Sequence, residues 1–320
     1  MPKNIKPYYQ TYKSFHQLII KVASENYNGS LLTRGKARIF FIVKAYKNKK
    51  HIDFFAKRLS QLSNSASLEL RSEMLGAVDW PYIHNRWDIP TKLDKIATHY
   101  EVLSEIPSDL IYITGNATGD GLDCHELMDL SDISQNLKIV IDKAPWFARE
   151  GELLINILMQ DLRVASIAFT LGKVKGEKVA YIGAIQGIYG GFPVNQALEI
   201  YKTLTKEFQG LRPRSLLLEI LKVLMKKLGV SSLYCISDNN RHHRHKYFGK
   251  DKNTAFKNDY NAMWEEHDGI LNMSTGFYEI STNPSIKDMA DIPSKKRSLY
   301  KRRYEIIFSL DNRLKLENLN

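Results

Sequence analysis

Two hydrophobic rhythms divide the chain. Residues 1 to about 105 read as helical, with apolar residues returning every three or four positions, the period of helices with one buried stripe. In RGKARIFFIVKAYKNKKHIDFFAKRLSQL, Ile39, Ile42, Val43, Tyr46, Phe54, Phe55, Leu59 and Leu62 keep that spacing, which predicts a single apolar stripe in need of a partner. Further helices are predicted over 66–76 and 91–104, the second capped by Thr91 and closed before Pro107. The stretch PSDLIYITGNATGDGLDCHELMDLSDIS mixes turn formers with short apolar pieces and reads as a junction.

After Leu137 the period shortens. KIVIDKAP, GELLINILMQ, RVASIAFTLG and KVAYIGAIQGI are short, rich in β-branched residues and separated by turn-like breaks, so they predict strands of an antiparallel meander. Helices follow at about 194–208 and 213–228. The second has Pro213 in its opening turn, Gly229 just past its end, cations in its last turn, and Leu217, Ile220, Leu221, Leu224 and Leu228 on one face. SSLYCIS is then a buried strand, parallel to its neighbour because it follows a crossover helix. A late helix near AFKNDYNAMWEEHDG, with Tyr260 and Trp264 packing inward, and a strand near GFYEIS complete the order. The expectation is an α+β chain: a helical N-terminal domain over 1–108, then a mixed β-sheet domain flanked by helices over 109–320. In predicted topology that second part is similar to the GNAT acyltransferase fold.

Composition sets the class. With 320 residues, 43% apolar and 25% charged, the chain can bury a large core, and no apolar run is long enough to cross a bilayer. The basic N-terminus MPKNIKPYYQTYKSF leads into no secretory signal, and Cys124 and Cys235 read as reduced thiols, so a cytoplasmic protein is expected. The formal charge of +11 is uneven. Asn26 to Ile52 holds no carboxylate but includes Arg34, Lys36, Arg38, Lys44, Lys47, Lys49 and Lys50, while KKRSLYKRR supplies Lys295, Lys296, Arg297, Lys301, Arg302 and Arg303. Such blocks attract phosphate-bearing partners or are solvated helix faces. With Tyr300 and Tyr304 packed inward, the second block makes a basic amphipathic helix suited to peripheral contact with the inner membrane leaflet. Nucleic-acid binding ranks last, because no recognised motif accompanies the charge.

Candidate chemistry gathers at two places. SDNNRHHRHKYFGKD follows the parallel strand at its carboxyl end, where ligands collect in open α/β sheets. His242, His243 and His245 lie too close in sequence to supply three zinc ligands from an ordinary loop, so an anion held by Arg241, Arg244 and Lys246 is preferred to a metal, with a basic loop as the bland alternative. The turn QGIYGG offers Gln186, Gly187, Gly190 and Gly191, and Arg212 and Arg214 open the strong helix beyond it. By the GNAT analogy this is where backbone N–H groups would meet the pyrophosphate of acyl-CoA, although the glycine spacing departs from that fold's pattern, a helical segment intervenes before the strong helix, and a turn that simply needs flexible residues is the preferred reading. A general base would need burial to lift its pKa. Glu150 and Glu152 stand at the head of ELLINI, and Glu152, Asp238, His242 and Tyr247 are the catalytic candidates, against plainer roles in solvated turns and packing.

The motifs APWFAREGELLINI, AIQGIYG, RPRSLLLEILKVL, SDNNRHHRH, KNDYNAMWEEHDG, GFYEIS and SKKRSLYKRRYEII occur in this order and resemble the VirK/YbjX family. The resemblance is strongest over about 140–305. It implies a Gram-negative setting linked to virulence, surface presentation of outer-membrane proteins and resistance to cationic antimicrobial peptides. It names no reaction and no catalytic residue. Two expectations follow: acyl or aminoacyl transfer from a CoA-like donor to an envelope component, or non-enzymatic binding of anionic lipid or lipopolysaccharide through the basic blocks.

Overall fold

A computed structural model describes residues 14–29, 31–62, 72–106, 124–249 and 259–315. Its leading helices are α1 (Phe15–Asn26), α2 (Leu31–Lys47), α3 (Lys49–Ser60), α4 (Ser72–Gly76) and α5 (Ile89–Ser104). The apolar stripe predicted along residues 39–62 does not run straight. The helix breaks at Asn48, and the buried positions are Phe41 and Ala45 on α2 and Ile52, Phe55, Ala56 and Leu59 on α3, while Ile39, Val43, Tyr46 and Phe54 are exposed. A 3.6-residue period marks one face only along a single axis, so a change of axis resets which residues look inward.

α5 is capped by Asp88 rather than Thr91: the Asp88 carboxylate accepts the Thr91 N–H at 2.9 Å, and Pro90 occupies the first turn. Residues 66–71 of the predicted 66–76 helix, and the predicted domain boundary at 108/109, lie outside the described residues.

The strands are β1 (His125–Asp129), β2 (Leu137–Asp142), β3 (Leu153–Met159), β4 (Leu162–Val174), β5 (Glu177–Gly187), β6 (Ser232–Ile236), β7 (Ile270–Asn272) and β8 (Phe277–Ser281). They form one mixed sheet in the order β1-β2-β3-β4-β5-β6-β8-β7. β2 to β5 are the predicted antiparallel meander, β1 adds an antiparallel edge strand beside β2, β5 and β6 run parallel, and β8 returns antiparallel to β6. The short edges β1 and β7 carry too little hydrophobic pattern to be read from the sequence.

Between β5 and β6 the chain makes α6 (Val194–Glu207) and α7 (Pro213–Lys227). α7 is the helix the sequence specifies best: Pro213 starts it, Gly229 follows its end with φ of 71°, and Leu217, Ile220, Leu221 and Leu224 are buried where it crosses β3, β4 and β5. α5 packs along β4. α8 (Tyr260–Glu266) follows β6, and α9 (Ser294–Arg313) lays Tyr304, Ile307 and Leu310 inward beside α7. Most buried apolar side chains, from Phe15 to Leu314, form one connected core, and Ala144, Phe147, Leu154, Ala168 and Ala184 form a second, smaller cluster.

Candidate functional site

β5 outruns its parallel neighbour. Pairing stops at Ile182 opposite Cys235, but β5 continues to Gly187 whereas β6 ends at Ile236. The strands part at a β-bulge: Ala168 pairs with Ala184 and Phe169 with Ile182, which leaves Gly183 as the extra residue. A Cβ at Gly183 would lie 2.0 Å from the Glu150 carbonyl oxygen. Gly183→Ala is therefore expected to lower the chemical-denaturation stability by roughly 1–3 kcal/mol, since the obstruction is backbone and cannot swing aside; an unchanged midpoint would refute the close approach.

The gap between the parting strands is filled from α8. The Tyr260 hydroxyl accepts the Ile185 N–H at 2.9 Å, and the Trp264 indole N–H donates to the Ile236 carbonyl at 2.8 Å. Both rings are fully buried. Asp238 fixes the start of this helix: its carboxylate accepts the Tyr260 N–H at 2.8 Å, and its own N–H donates to the Asn261 side chain at 3.0 Å. Its side chain is thus committed to the helix start. Arg241 is buried, with its guanidinium 3.7 Å from the Tyr260 ring centroid and 3.5 Å from the Asp238 carboxylate.

Glu150 stands at the centre of this arrangement. It is held in the connection before β3, where Ile83 N–H donates to the Arg149 carbonyl and Glu150 N–H to that of Phe147. The Gln186 side-chain amide donates to both carboxyl oxygens at 3.0 and 3.1 Å, and the His242 ring nitrogen Nε2 lies 3.9 Å away. Burial pushes the Glu150 pKa up to about 8, against the weaker opposing pull of Arg241, the Gln186 hydrogen bond and Arg149. Burial likewise holds His242 well below the ordinary imidazole range, helped by His243, Arg241 and Arg149. At neutral pH the pair is therefore a protonated carboxyl beside a neutral imidazole, not an ion pair.

The histidine-rich segment resolves into three short 3-10 turns, Asp238–Asn240, His242–Arg244 and Lys246–Phe248. His242 and His243 are buried, and burial brings the His243 pKa down to about 3, with Arg241 and Arg244 adding to the shift. His245 accepts the Tyr247 N–H at 3.0 Å. Arg244 donates to the Asp238 carbonyl at 3.3 Å, and Lys246 is exposed. Tyr247 and Phe248 sandwich against the Arg149 guanidinium, which also lies 5.0 Å from the Trp80 ring. Among the described residues no three His, Cys, Asp or Glu side chains converge as a metal site.

Glu152 occupies a different environment from Glu150. Its carboxylate accepts from Tyr100 and Lys143 at 2.8 Å each and from Tyr82 at 3.1 Å, and the Tyr82 hydroxyl lies 2.6 Å from Thr170. Burial raises its pKa, but Lys143, His99 and the hydrogen bonds outweigh burial and hold it below the usual carboxylate range. Two carboxyls two residues apart thus take opposite protonation states, because one meets an ammonium and the other an amide.

Two recesses flank the Glu150 region. One, of about 540 Å³, is lined by Gly187, Ile188, Tyr201, Lys202, Thr205, Arg212, Pro213 and Arg214. It joins the end of β5 to the start of α7, whose N-cap Arg212 makes no side-chain capping bond. Gly187 lets the Tyr201 hydroxyl approach, since a Cβ there would lie 2.1 Å from it. Arg212 reaches Glu266 only at 3.7 Å, and half-buried Arg214 makes no ion pair among the described residues. Gly190 and Gly191 are exposed in the turn beyond and do not line this recess. The other recess, about 870 Å³, has walls of Trp87, Tyr181, Tyr234 and Phe277, with His84 and Asn240 adjoining Ile83 and Arg241 of the Glu150 region. Lys95 sits over the Tyr181 ring at 4.5 Å.

The second basic block stands apart, on α9. Arg302 and Arg303 donate to the Gln209 side chain and carbonyl, and Arg297 to the Ile292 carbonyl, while Lys295, Lys296 and Lys301 are exposed. Of the residues singled out from the sequence, Gln186, Gly187, Arg212 and Arg214 meet at or beside one recess, and Gln186 and His242 meet at Glu150. Sequence reasoning missed Gly183 and the strand-parting role of Tyr260; the signal for the first is a lone glycine inside a strand pattern.

A family model described as "Protein of unknown function (DUF535)" matches residues 31–315, most of the chain. The chain belongs to the DUF535 family. YbjX, an uncharacterized protein of Escherichia coli (strain K12), is 30% identical over 148 residues, 46% of this chain and 43% of YbjX. The match thus spans less than half the length of that relative, and it agrees with the VirK/YbjX resemblance of the motifs. An uncharacterized protein of Haemophilus influenzae is 27% identical over 267 residues, 79% of this chain and 83% of its own, and a second is 36% identical over 115 residues, 35% of this chain and 36% of its own. No solved structure matches this DUF535 chain. Among its described residues no helix is long and apolar enough to cross a membrane.

Proposed function

We propose that the recess at the end of β5 binds the phosphates of a CoA-type donor, and that this chain transfers an acyl or aminoacyl group from it to an amine or hydroxyl acceptor. The reading rests on one observation: a carboxyl with a pKa near 8, Glu150, is hydrogen-bonded to Gln186, next in sequence to Gly187, which walls a recess carrying Lys202, Arg212 and Arg214. A base tuned close to working pH is what proton transfer at neutrality requires. Arginine forks suit phosphate oxygens, and the uncapped start of α7 adds N–H groups beside them. The GNAT-like element order supports the same class by analogy alone. Because Tyr260 and Trp264 close the gap between β5 and β6, the donor arm lies at the strand end rather than between the strands.

In this scheme the acceptor occupies the aromatic cleft. Its nucleophile forms a bond to the thioester carbonyl carbon, its proton passes to the Glu150 carboxylate, and the carbon–sulfur bond breaks with the proton returned to the departing thiolate. The rate should then rise with pH up to the ionisation of Glu150 near 8 and level off above it. Calorimetry with CoA, acetyl-CoA and a long-chain acyl-CoA tests the binding step. Arg212→Ala with Arg214→Ala should weaken that binding at least about tenfold, since each charge-assisted phosphate contact contributes about 1.5–3 kcal/mol. Glu150→Gln should leave it intact and lower turnover by about 10²–10⁴. No heat with any donor would remove the proposal.

A further inference from the structure

The exposed face of α2 combines three large apolar side chains with cations in a segment that has no carboxylate. Ile39, Phe40 and Val43 are 63%, 56% and 46% exposed, although the helix already buries Phe41 and Ala45 on its other side. Lys36 stands three and four residues before Ile39 and Phe40, and Lys47 stands four after Val43, so all five share one helical face. The Lys36 ammonium lies 5.8 Å from the Phe40 ring centroid. Of the cations between Asn26 and Ile52, Arg38 is tied to the Tyr27 and Gly29 carbonyls, Lys44 to Asp79 and Lys49 to Asp53. Lys36, Lys47 and Lys50 are exposed and make no ion pair among the described residues.

We propose that this face of α2 docks onto an anionic membrane surface, with Ile39, Phe40 and Val43 entering the interface and Lys36 and Lys47 meeting lipid headgroups. A water-facing row of Ile, Phe and Val on a well-formed helix has no folding role, and clustered apolar exposure marks an interaction site. The charge selects the occupant. A protein partner buried on this row would have to bring carboxylates to match the flanking lysines, whereas an anionic bilayer offers both an apolar layer and a dense negative surface at the depth each side chain reaches. The helix lies in the interface plane and does not span it. This docking is independent of the transfer chemistry at Glu150.

Sedimentation with vesicles of phosphatidylcholine plus phosphatidylglycerol, against phosphatidylcholine alone, tests the docking on the full chain. The protein should bind the anionic vesicles and release at high salt. The triple change Ile39→Ser, Phe40→Ser and Val43→Ser, all at exposed positions, should reduce binding at least about tenfold. Lys36→Glu with Lys47→Glu should do the same, while neutralising Lys295, Lys296 and Lys301 on α9 should not. Phe40→Trp supplies a direct reading, because its fluorescence should shift to the blue with anionic vesicles. Equal binding by the triple variant, loss only on changing α9, or a wild-type dimer that the triple variant dissociates would each overturn the proposal, the last by naming a second copy as the occupant.

Discussion

Lys143→Met is expected to be among the most damaging single changes in this protein, lowering stability at pH 7 by about 3–5 kcal/mol. Lys143 and Glu152 are 4% and 3% exposed, and their 2.8 Å contact is the only cationic neighbour within bonding distance of the Glu152 carboxylate among the described residues. Removing the ammonium leaves a buried anion supported by tyrosine hydroxyls alone. The sign with pH is specific. Glu152 has its folded pKa depressed by Lys143, so in the native protein the pair contributes stability above the unfolded carboxyl pKa, and that contribution is lost as pH falls through the folded value. In Lys143→Met the penalty should accordingly shrink toward acid pH, where the carboxyl is protonated in both states. Adding Glu152→Gln should recover part of the loss, because a neutral amide can still bond Tyr82 and Tyr100. Urea denaturation of the three variants across pH checks this; a loss of under about 1 kcal/mol at pH 7 would show that the pair is hydrated.

Glu150→Gln should act in the opposite direction and stabilise the fold at neutral and alkaline pH. The folded pKa near 8 is raised above the ordinary 4.5, so the carboxyl contributes its full stability below the unfolded pKa and loses it as pH rises through the folded one. Each pH unit in that interval removes about 1.4 kcal/mol. Over the whole interval, from 4.5 to about 8, the loss approaches about 5 kcal/mol. The difference in stability between Glu150→Gln and the native chain should therefore be small at pH 4 and grow steadily until about pH 8. Parallel pH profiles for the two proteins would mean that Glu150 ionises like a surface carboxylate, and the proton-transfer role would fall with it.

Much of the fold is legible in the residues. α7 announces itself through Pro213, Gly229 and a leucine face, and the β-branched runs after Leu137 announce the meander, because local propensity and burial agree there. The parallel placement of β6 followed from the crossover helix alone. The sequence also pointed to the end of β5 and the segment after β6, and Gln186 from the first and His242 from the second lie beside Glu150. It could not rank Glu150 against Glu152. Two residues apart on a strand approach, they look alike until one knows that Lys143 and Tyr100 reach the second and Gln186 the first, and these partners come from other elements.

What the chain determines by itself is its periodicity, and through that the order and type of its elements. Which face of each element is buried, and which charges are neutralised, the assembled structure decided. The α2 row makes the point: the same spacing that predicts a core stripe leaves Ile39, Val43 and Tyr46 in water, while Phe41 and Ala45 of the same helix face inward. Helical spacing is local information, whereas the direction of the core is set by every other element that packs around it.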